Sequence, residues 1–555
     1  MEYQDQGQGM IHINQVGYVP GATKVAIINS QRFEFQQFHV IRTDIDEIVY
    51  TGQVTGKQGA DDATTAPILD SSSGDFVYRA DFSAWTEPGT YVIEVPAYGR
   101  SHPFVIGDQV YTDVKQALLK NLYYQRCGME LVEAHAGVYT HAQCHQELAR
   151  LYDQPDVAID VTGGWHDAGD YGRYVAPGAN AAAALLLAYE RFPDRFQDTI
   201  NIPESGNGVP DLLNEVRYEL EWLLRMQDTD SGGAYHKVTG RSFEGFIMPE
   251  YDHNELVVLP VSPTATGDLA AVMAMASRIY NAYDHGFSIR ALAAAEQAWA
   301  WLLANPDAAG YRNPPDIVTG EYGDSNSLDE RFWAAVELYK TTGKTIYHEY
   351  VKENYNKVNK LGLGWTDMSG FGTLSYLFMN DAQQDAEAYA ALKAALLKEA
   401  DQMVDRASRD GYLIPMSSAD YGWGSNMNVM NKAVLLIAAY ELQANEPYIE
   451  TAESLFHYLL GRNALDKSYV SGFGSNPMMH PHHRPSGADG IVEPIPGLVS
   501  GGPNRSIQDP TAEEFLSENK FPARGYIDHE GSWSTNETTI YWNAPAVFVA
   551  GYLDR

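Results

Sequence analysis

Several classes of protein are excluded by what the chain has little of. With two cysteines in 555 residues, Cys127 and Cys144, a disulfide framework is ruled out. No apolar run approaches the roughly 20 residues of a membrane span. Basic residues are scarce, 38 Lys and Arg against 73 Asp and Glu, for a formal net charge of −35. Nucleic acid and anionic membrane both call for a basic surface, so neither is an expected partner. Such a charge suits calcium or a neutral or cationic substrate, and equally an acidic solvated surface. The first twenty residues lack the basic and apolar regions of a signal peptide. The expectation is a cytoplasmic chain, with secretion after trimming as the alternative. Aromatics, by contrast, are abundant: 36 Tyr and 10 Trp. Such rings fill cores and also stack on flat apolar ligand faces, sugar rings included. The length exceeds one hydrophobic core, so two domains, possibly three, are expected.

The densest chemistry lies in Gly163-Gly164-Trp165-His166-Asp167-Ala168-Gly169-Asp170-Tyr171-Gly172-Arg173-Tyr174. Two carboxylates stand three residues apart among glycines, which bring the backbone close to a ligand. Asp167 and Asp170 can then point into one cleft and hold and deprotonate a water. The competing reading is an Asx-rich turn that caps the helix starting near Pro177.

From Ile11 to about Gly107 the pattern is strand-sized. Residues 25–28, 33–35, 38–41, 76–82 and 91–95 read as strands between Gly/Pro/Asp/Ser clusters, a small antiparallel sandwich. It gathers no catalytic residue types, so a supporting role is expected. After Asp108 the period becomes helical. Twelve segments are predicted: 110–127, 177–192, 208–227, 264–282, 287–304, 325–342, 345–358, 369–379, 384–406, 425–443, 446–461 and 538–552. Six helical hairpins of unequal loop length would close into an (α/α)6 toroid. The fold class is therefore multidomain, with a sandwich over 1–107 and an all-α barrel over 108–555. The long loops 228–263 and 462–536 have a composition that points to function.

Two further constellations lie near the C-terminus. Ser468 to Asn476 is followed by His480, His482, His483 and Arg484. A metal site would want carboxylates or cysteines alongside, so hydrogen bonding to hydroxyls is the better reading. Tyr526-Ile527-Asp528, Trp533, Asn536-Glu537-Thr538-Thr539 and Tyr541-Trp542-Asn543-Ala544 form the other. Glu537 sits at the mouth of the last helix, where apolar neighbours can raise its pKa, or where the helix dipole stabilises its charge.

Together these segments resemble glycoside hydrolase family 9. The first matches the family's GGWxDAGD segment, Ser468 to Arg484 its SxVxGxGxNxxxxPHxR signature, and Tyr526 to Ala544 its YxDxxxxWxxxExTxxxNA signature. Ile13 to Tyr18 is similar to the start of the immunoglobulin-like module many members carry. The resemblance implies an inverting hydrolase, with Glu537 as general acid, Asp170 as general base and Asp167 holding the water. A base-to-acid separation of roughly 6.5–9.5 Å would leave room for that water. His482 and Arg484 would bind the sugar at subsite −1, with His480 a weaker candidate. Trp423, Trp533, Tyr541 and Trp542 are candidate stacking platforms.

Some family members also carry a structural zinc site of the composition Cys127, Cys144, His145 and His166, a closed set of four ligands. Thr319 to Asn326 with Asp329 and Glu330, and Asp324 and Asp329 in particular, offer hard oxygens for calcium. Helix capping by Asp324 or Ser325 accounts for much of that stretch. The expected partner is an oligosaccharide substrate, and the expected state a monomer or homodimer. The family default is β-1,4-glucan cleaved by an endoglucanase. The missing signal peptide favours exo-action on short β-1,4 oligosaccharides. Glu244, Glu250, Tyr251, Asp252, Asp489 and Glu493 in the long loops would attract a protonated 2-amino group, which puts glucosaminides slightly ahead of cellodextrins. A carbohydrate-binding protein with a decayed centre is the rival reading.

Overall fold

The computed structural model describes residues 11–30, 36–58, 65–197 and 199–554. Strands Val25–Asn29, Gln37–Arg42, Phe76–Asp81 and Gly89–Val95 form at the expected places; the segment 33–35 lies outside the described residues. Their inward-facing residues, among them Ile28, Phe38, Val40, Tyr78 and Ile93, share one core. The sequence reading omitted Glu47–Thr55. Most of that strand faces solvent, so its alternation is weak. It pairs along most of its length with Gln37–Arg42, and through Val54 and Thr55 with Phe76–Asp81, so it joins the two layers of the sandwich.

The sandwich is bolted to the helical part by polar side chains. Gln15 donates to the Asp466 carbonyl (2.8 Å) and accepts from the Ser475 and Asn476 N–H groups. Asp75 accepts from Tyr412 and Arg524 at 2.7 and 2.6 Å. The Ser468–Asn476 stretch, read from sequence as ligand-contacting, therefore serves in part as a seat for the first domain.

All twelve expected helices are present: α1 (Thr112–Tyr124), α2 (Val175–Arg191), α3 (Asp211–Arg225), α4 (Pro263–Tyr280), α5 (His285–Ala304), α6 (Leu328–Thr342), α7 (Thr345–Asn354), α8 (Ser369–Leu377), α9 (Ala386–Arg409), α10 (Ser425–Leu442), α11 (Glu446–Leu459) and α12 (Ile540–Leu553). Gly343, left-handed at φ +69°, ends α6 as the sequence implied. The even-numbered helices pack side by side in the order α10, α12, α2, α4, α6, α8, and each carries an odd-numbered partner. Burial follows that order: α2 is buried from Val175 to Tyr189 and α8 throughout, whereas α9 buries one stripe. The result is a helical barrel whose inner helices are buried nearly all round. None of the described helices is long and apolar enough to cross a membrane.

One feature at the mouth of the barrel was not expected. Ala149–Leu151, Ala158–Ile159, Arg173–Tyr174, Lys237–Thr239 and Val257–Val258 form a five-stranded sheet. It includes the end of the glycine-rich segment and much of the 228–263 loop. Strands of two or three residues carry no readable alternation, so periodicity alone does not reveal them.

Candidate active site

The glycine-rich segment is held from below by buried carboxylates. Glu219 accepts from the Trp165 N–H at 2.7 Å, and Glu215 from the Trp165 indole N–H at 2.9 Å. Glu215 is itself paired with the buried Arg126 at 2.9 Å. Burial pushes the Glu219 carboxyl up to about 8. Gly164 has φ +77°, and a Cβ there would meet the Trp222 ring at 2.6 Å. A Cβ on Gly169 would meet the His482 carbonyl at 2.1 Å. Glycine at these two points allows the close approach that builds the cleft. The capping alternative fails: the N-cap of α2 is Tyr174, with no side-chain cap bond.

That approach joins all three sequence constellations. The Arg484 N–H and a guanidinium N–H both donate to the Gly169 carbonyl, at 3.1 and 2.7 Å. The His482 N–H donates to the Asn536 carbonyl (2.9 Å), and the Ile540 N–H to the Asp167 carbonyl (2.9 Å). Asp167, Asp170, Glu537, His482, Arg484, Trp423, Trp533, Tyr541 and Trp542 thus line one cavity of about 600 Å³. His480 is not among its lining residues; it is exposed, with its N–H bonded to Asp528. Trp423 presents an open face, whereas Trp542 is largely packed against Gly424 and Gly501.

The three carboxyl groups differ in surroundings. Asp170 Oδ2 accepts from the Tyr174 hydroxyl (3.0 Å) and the Gly172 N–H (3.1 Å). Asp167 Oδ2 accepts from the Tyr322 hydroxyl at 2.5 Å, while no donor among the described residues reaches its buried Oδ1. Burial, then the charge of Asp170, pushes Asp167 well above the ordinary carboxylate range, against the Tyr322 bond. Burial, then Asp170 and Asp167, does the same to Glu537; Arg484 and the Gly169 N–H oppose it. Glu537 therefore keeps its proton near neutrality. His482 donates from Nδ1 to the Glu530 carbonyl at 2.6 Å, and burial lowers its pKa, so the neutral ring has Nε2 as its acceptor.

Several lining residues escaped the sequence reading, among them Tyr174, Phe243, Tyr322 and Trp365. Tyr174 alone carried a signal, its place in the glycine-rich segment. The others come from loops with no motif.

Beside the cleft, ligand atoms of Cys127, Cys144, His145 and His166 all lie within 4.8 Å of one another, and all four residues are buried. His145 turns Nδ1 toward the Cys127 sulfur (3.4 Å) and Nε2 toward Asp252 (3.2 Å). A carboxylate behind a ligating imidazole is the usual outer support of a zinc site. Among the described residues the buried His166 Nε2 has no partner at hydrogen-bond geometry, with the Cys127 sulfur as a polar neighbour of the ring. The donor set and this nitrogen fit zinc.

A second, acidic group includes the calcium candidates, though among the described residues only the Cys/His set brings its ligand atoms together around one point. Asp268 and Glu330 are fully buried, and no donor among the described residues reaches any of their carboxylate oxygens. Burial, then Asp329, pushes both well above the ordinary range. Burial takes Asp329 itself up to about 6, and Asp324 is raised for the same reason. Asp324 and Asp329 were read from the sequence. Asp268, inside the apolar α4, was not.

The acidic loop residues do not line the cavity. Glu244 pairs with Arg484 Nε at 2.7 Å. Asp252 faces His145, Asp489 accepts from the Ile491 N–H, and none of Glu250, Tyr251, Asp252, Asp489 and Glu493 lines the cavity. The charge argument for a 2-amino sugar loses its physical basis here.

Comparison with known proteins agrees with this geometry. The sequence model of glycosyl hydrolase family 9 matches residues 111–550, and that of the cellulase N-terminal ig-like domain matches residues 6–100. A cellodextrinase from Butyrivibrio fibrisolvens is 36% identical over 98% of this chain and 99% of its own. A xyloglucan-specific endo-beta-1,4-glucanase from Bacteroides ovatus is 37% identical over 98% and 93%. Among solved structures, a thermostable endoglucanase from Alicyclobacillus acidocaldarius superimposes with a TM-score of 0.91 at 36% identity, covering 99% of this chain and 100% of its own. Another similar structure, 34% identical over 97% and 99% with a TM-score of 0.90, is a Zn-binding triple mutant of a family 9 endoglucanase. The chain belongs to glycosyl hydrolase family 9: it is an inverting-type β-1,4 glycosidase that carries an N-terminal immunoglobulin-like domain.

Proposed function

We propose that the enzyme hydrolyses short soluble β-1,4-glucans, with Glu537 as general acid, Asp170 as general base and Asp167 as the second holder of the water. The observation that carries this reading is the juxtaposition of Asp170 and Glu537 across the Gly169–His482 contact, in a cavity walled by aromatic rings. Glu537 protonates the glycosidic oxygen as the bond to the leaving sugar breaks. Asp170 takes the proton from a water held by Oδ1 of Asp167, and that water attacks the anomeric carbon from the opposite face. His482 and Arg484 serve the hydroxyls of the sugar at the cleavage point, and Trp423, Trp533, Tyr541 and Trp542 offer apolar faces. The cellodextrinase among the relatives, matched over nearly its whole length, supports short substrates. The loss of the acidic-loop argument takes glucosaminides out of first place.

The test sets cellotetraose, the β-1,4-linked glucosamine dimer and carboxymethyl cellulose side by side. Rapid cleavage of cellotetraose is expected, with no turnover of the glucosamine dimer and little fall in polymer viscosity. A steep viscosity drop with slow cellotetraose turnover would replace this reading with an endoglucanase.

The packing order of the inner helices supports an (α/α)6 toroid, and the last sandwich strand, Phe104–Ile106, supports a domain boundary at 107/108. Zinc at Cys127, Cys144, His145 and His166 would tie the segment carrying Asp167 and Asp170 to the 128–146 loop. Calcium at Asp268, Asp324, Asp329 and Glu330 would offset the burial that disfavours these carboxylates as anions. For zinc, elemental analysis is expected to give about one ion per chain, and chelation to lower Tm by several degrees. Native protein with no zinc and two freely reactive thiols would rule that site out.

A further inference from the structure

Lys237 is fully buried, an uncommon place for a lysine. Its Nζ donates to Asn313 Oδ1 (2.9 Å), Thr319 Oγ1 (3.2 Å) and the Gly320 carbonyl (2.6 Å). Three acceptors match the three N–H bonds of an ammonium; a neutral amine would leave one acceptor unserved. Among the described residues no carboxylate stands within ion-pair distance of this nitrogen, so its charge is solvated by dipoles but not neutralised locally. A buried cation of that kind requires an anion at longer range.

The small sheet supplies the direction. Lys237 sits opposite Tyr174 in the antiparallel register, and its Nζ lies 5.5 Å from the Tyr174 ring centre. The hydroxyl of the same ring donates to Asp170 Oδ2 at 3.0 Å. The groups facing Asp170 are Asp167 and Tyr174 from its own segment, Lys237, Glu244 from the 241–255 loop, His482 and Arg484, and Glu537 before α12. Of the cations among them, Arg484 is paired with Glu244 and His482 is neutral. Lys237 is left as the unpaired positive charge.

We propose that Lys237 is a positioning residue of the reaction: its buried charge, acting through Tyr174, holds Asp170 as the carboxylate that activates water. This rests on the reading of Asp170 as base. Burial brings the Lys237 ammonium down to about 7, against the pull of Asp170 and Glu321. It is thus charged below neutrality, over the acid limb of the pH–rate profile.

The experiment compares kcat/KM against pH for the full-length parent, Lys237→Met and Tyr174→Phe on cellotetraose, or on carboxymethyl cellulose if that is the better substrate. In Lys237→Met the acid limb is expected to move up by about one pH unit. Well below the parent's acid-limb midpoint that is close to a tenfold loss in kcat/KM, with KM little changed and the basic limb in place. Tyr174→Phe keeps the charge but breaks the link, so its acid limb should move in the same direction by less. Well-folded variants whose acid limbs stay put overturn the proposal. If Lys237→Met does not fold, an unmoved limb in Tyr174→Phe overturns it alone. Asp170→Asn separates the two readings. Near-parent activity in that variant removes Asp170 as base and the proposal with it. An inactive Asp170→Asn beside unshifted Lys237 and Tyr174 variants removes only the proposal.

Discussion

Glu537→Gln is expected to lower kcat on cellotetraose by about 10²–10⁴-fold, the usual range for loss of a positioned general acid, while sugar binding persists. Glutamine matches glutamate in shape, so the backbone bonds that join Asp167 and His482 to the 536–540 segment remain. What is lost is a proton that burial and two neighbouring aspartates hold on Glu537 near neutrality. Because the folded-state pKa is raised, the acid form is present at low and neutral pH and is lost as pH rises through it. Glu537 therefore sets the basic limb of the parent's profile, and that limb should vanish in the variant. A dinitrophenyl cellobioside, whose leaving group departs without protonation, should recover most of the rate. Parent-like turnover of cellotetraose by this variant would remove Glu537 from the role.

Asp170→Asn is expected to cost at least as much, about 10³-fold or more, and the activated substrate should not recover it. Deprotonation of the attacking water is required whatever the leaving group. An asparagine oxygen can still accept from the Tyr174 hydroxyl and the Gly172 N–H, so the segment should keep its shape. Circular dichroism and Tm near the parent's values would show that the loss is chemical. The contrast between the two variants on the two substrates is the sharper measurement. Recovery of Asp170→Asn by the dinitrophenyl substrate would reverse the assignment of acid and base.

The individual segments of this site were legible because each is local. Asp167 and Asp170 lie three residues apart between glycines, His482 and Arg484 two apart, and Glu537 just before an apolar helix, so motif and role could be read within a few residues of chain. The twelve helices were legible because a period near 3.6 persists over ten residues or more. The two thiols and two imidazoles could be grouped through the family resemblance, with Cys144 next to His145 and His166 next to Asp167.

Only the tertiary structure decided what those segments do to one another. Tyr322, Trp365 and Phe243 reach the cavity from loops without a motif, and Asp268 faces Glu330 from within an apolar helix. His480, two residues before His482, leaves the cleft because its N–H is drawn to Asp528. The loop acids, counted from sequence as free charge, are tied to Arg484 and His145 or lie away from the substrate. Lys237 stands behind Asp170 because a sheet of two- and three-residue strands brings it opposite Tyr174. Residue types and short-range periodicity specify which chemistry is available; burial and long-range pairing decide which of those groups carry a proton, a charge or a ligand.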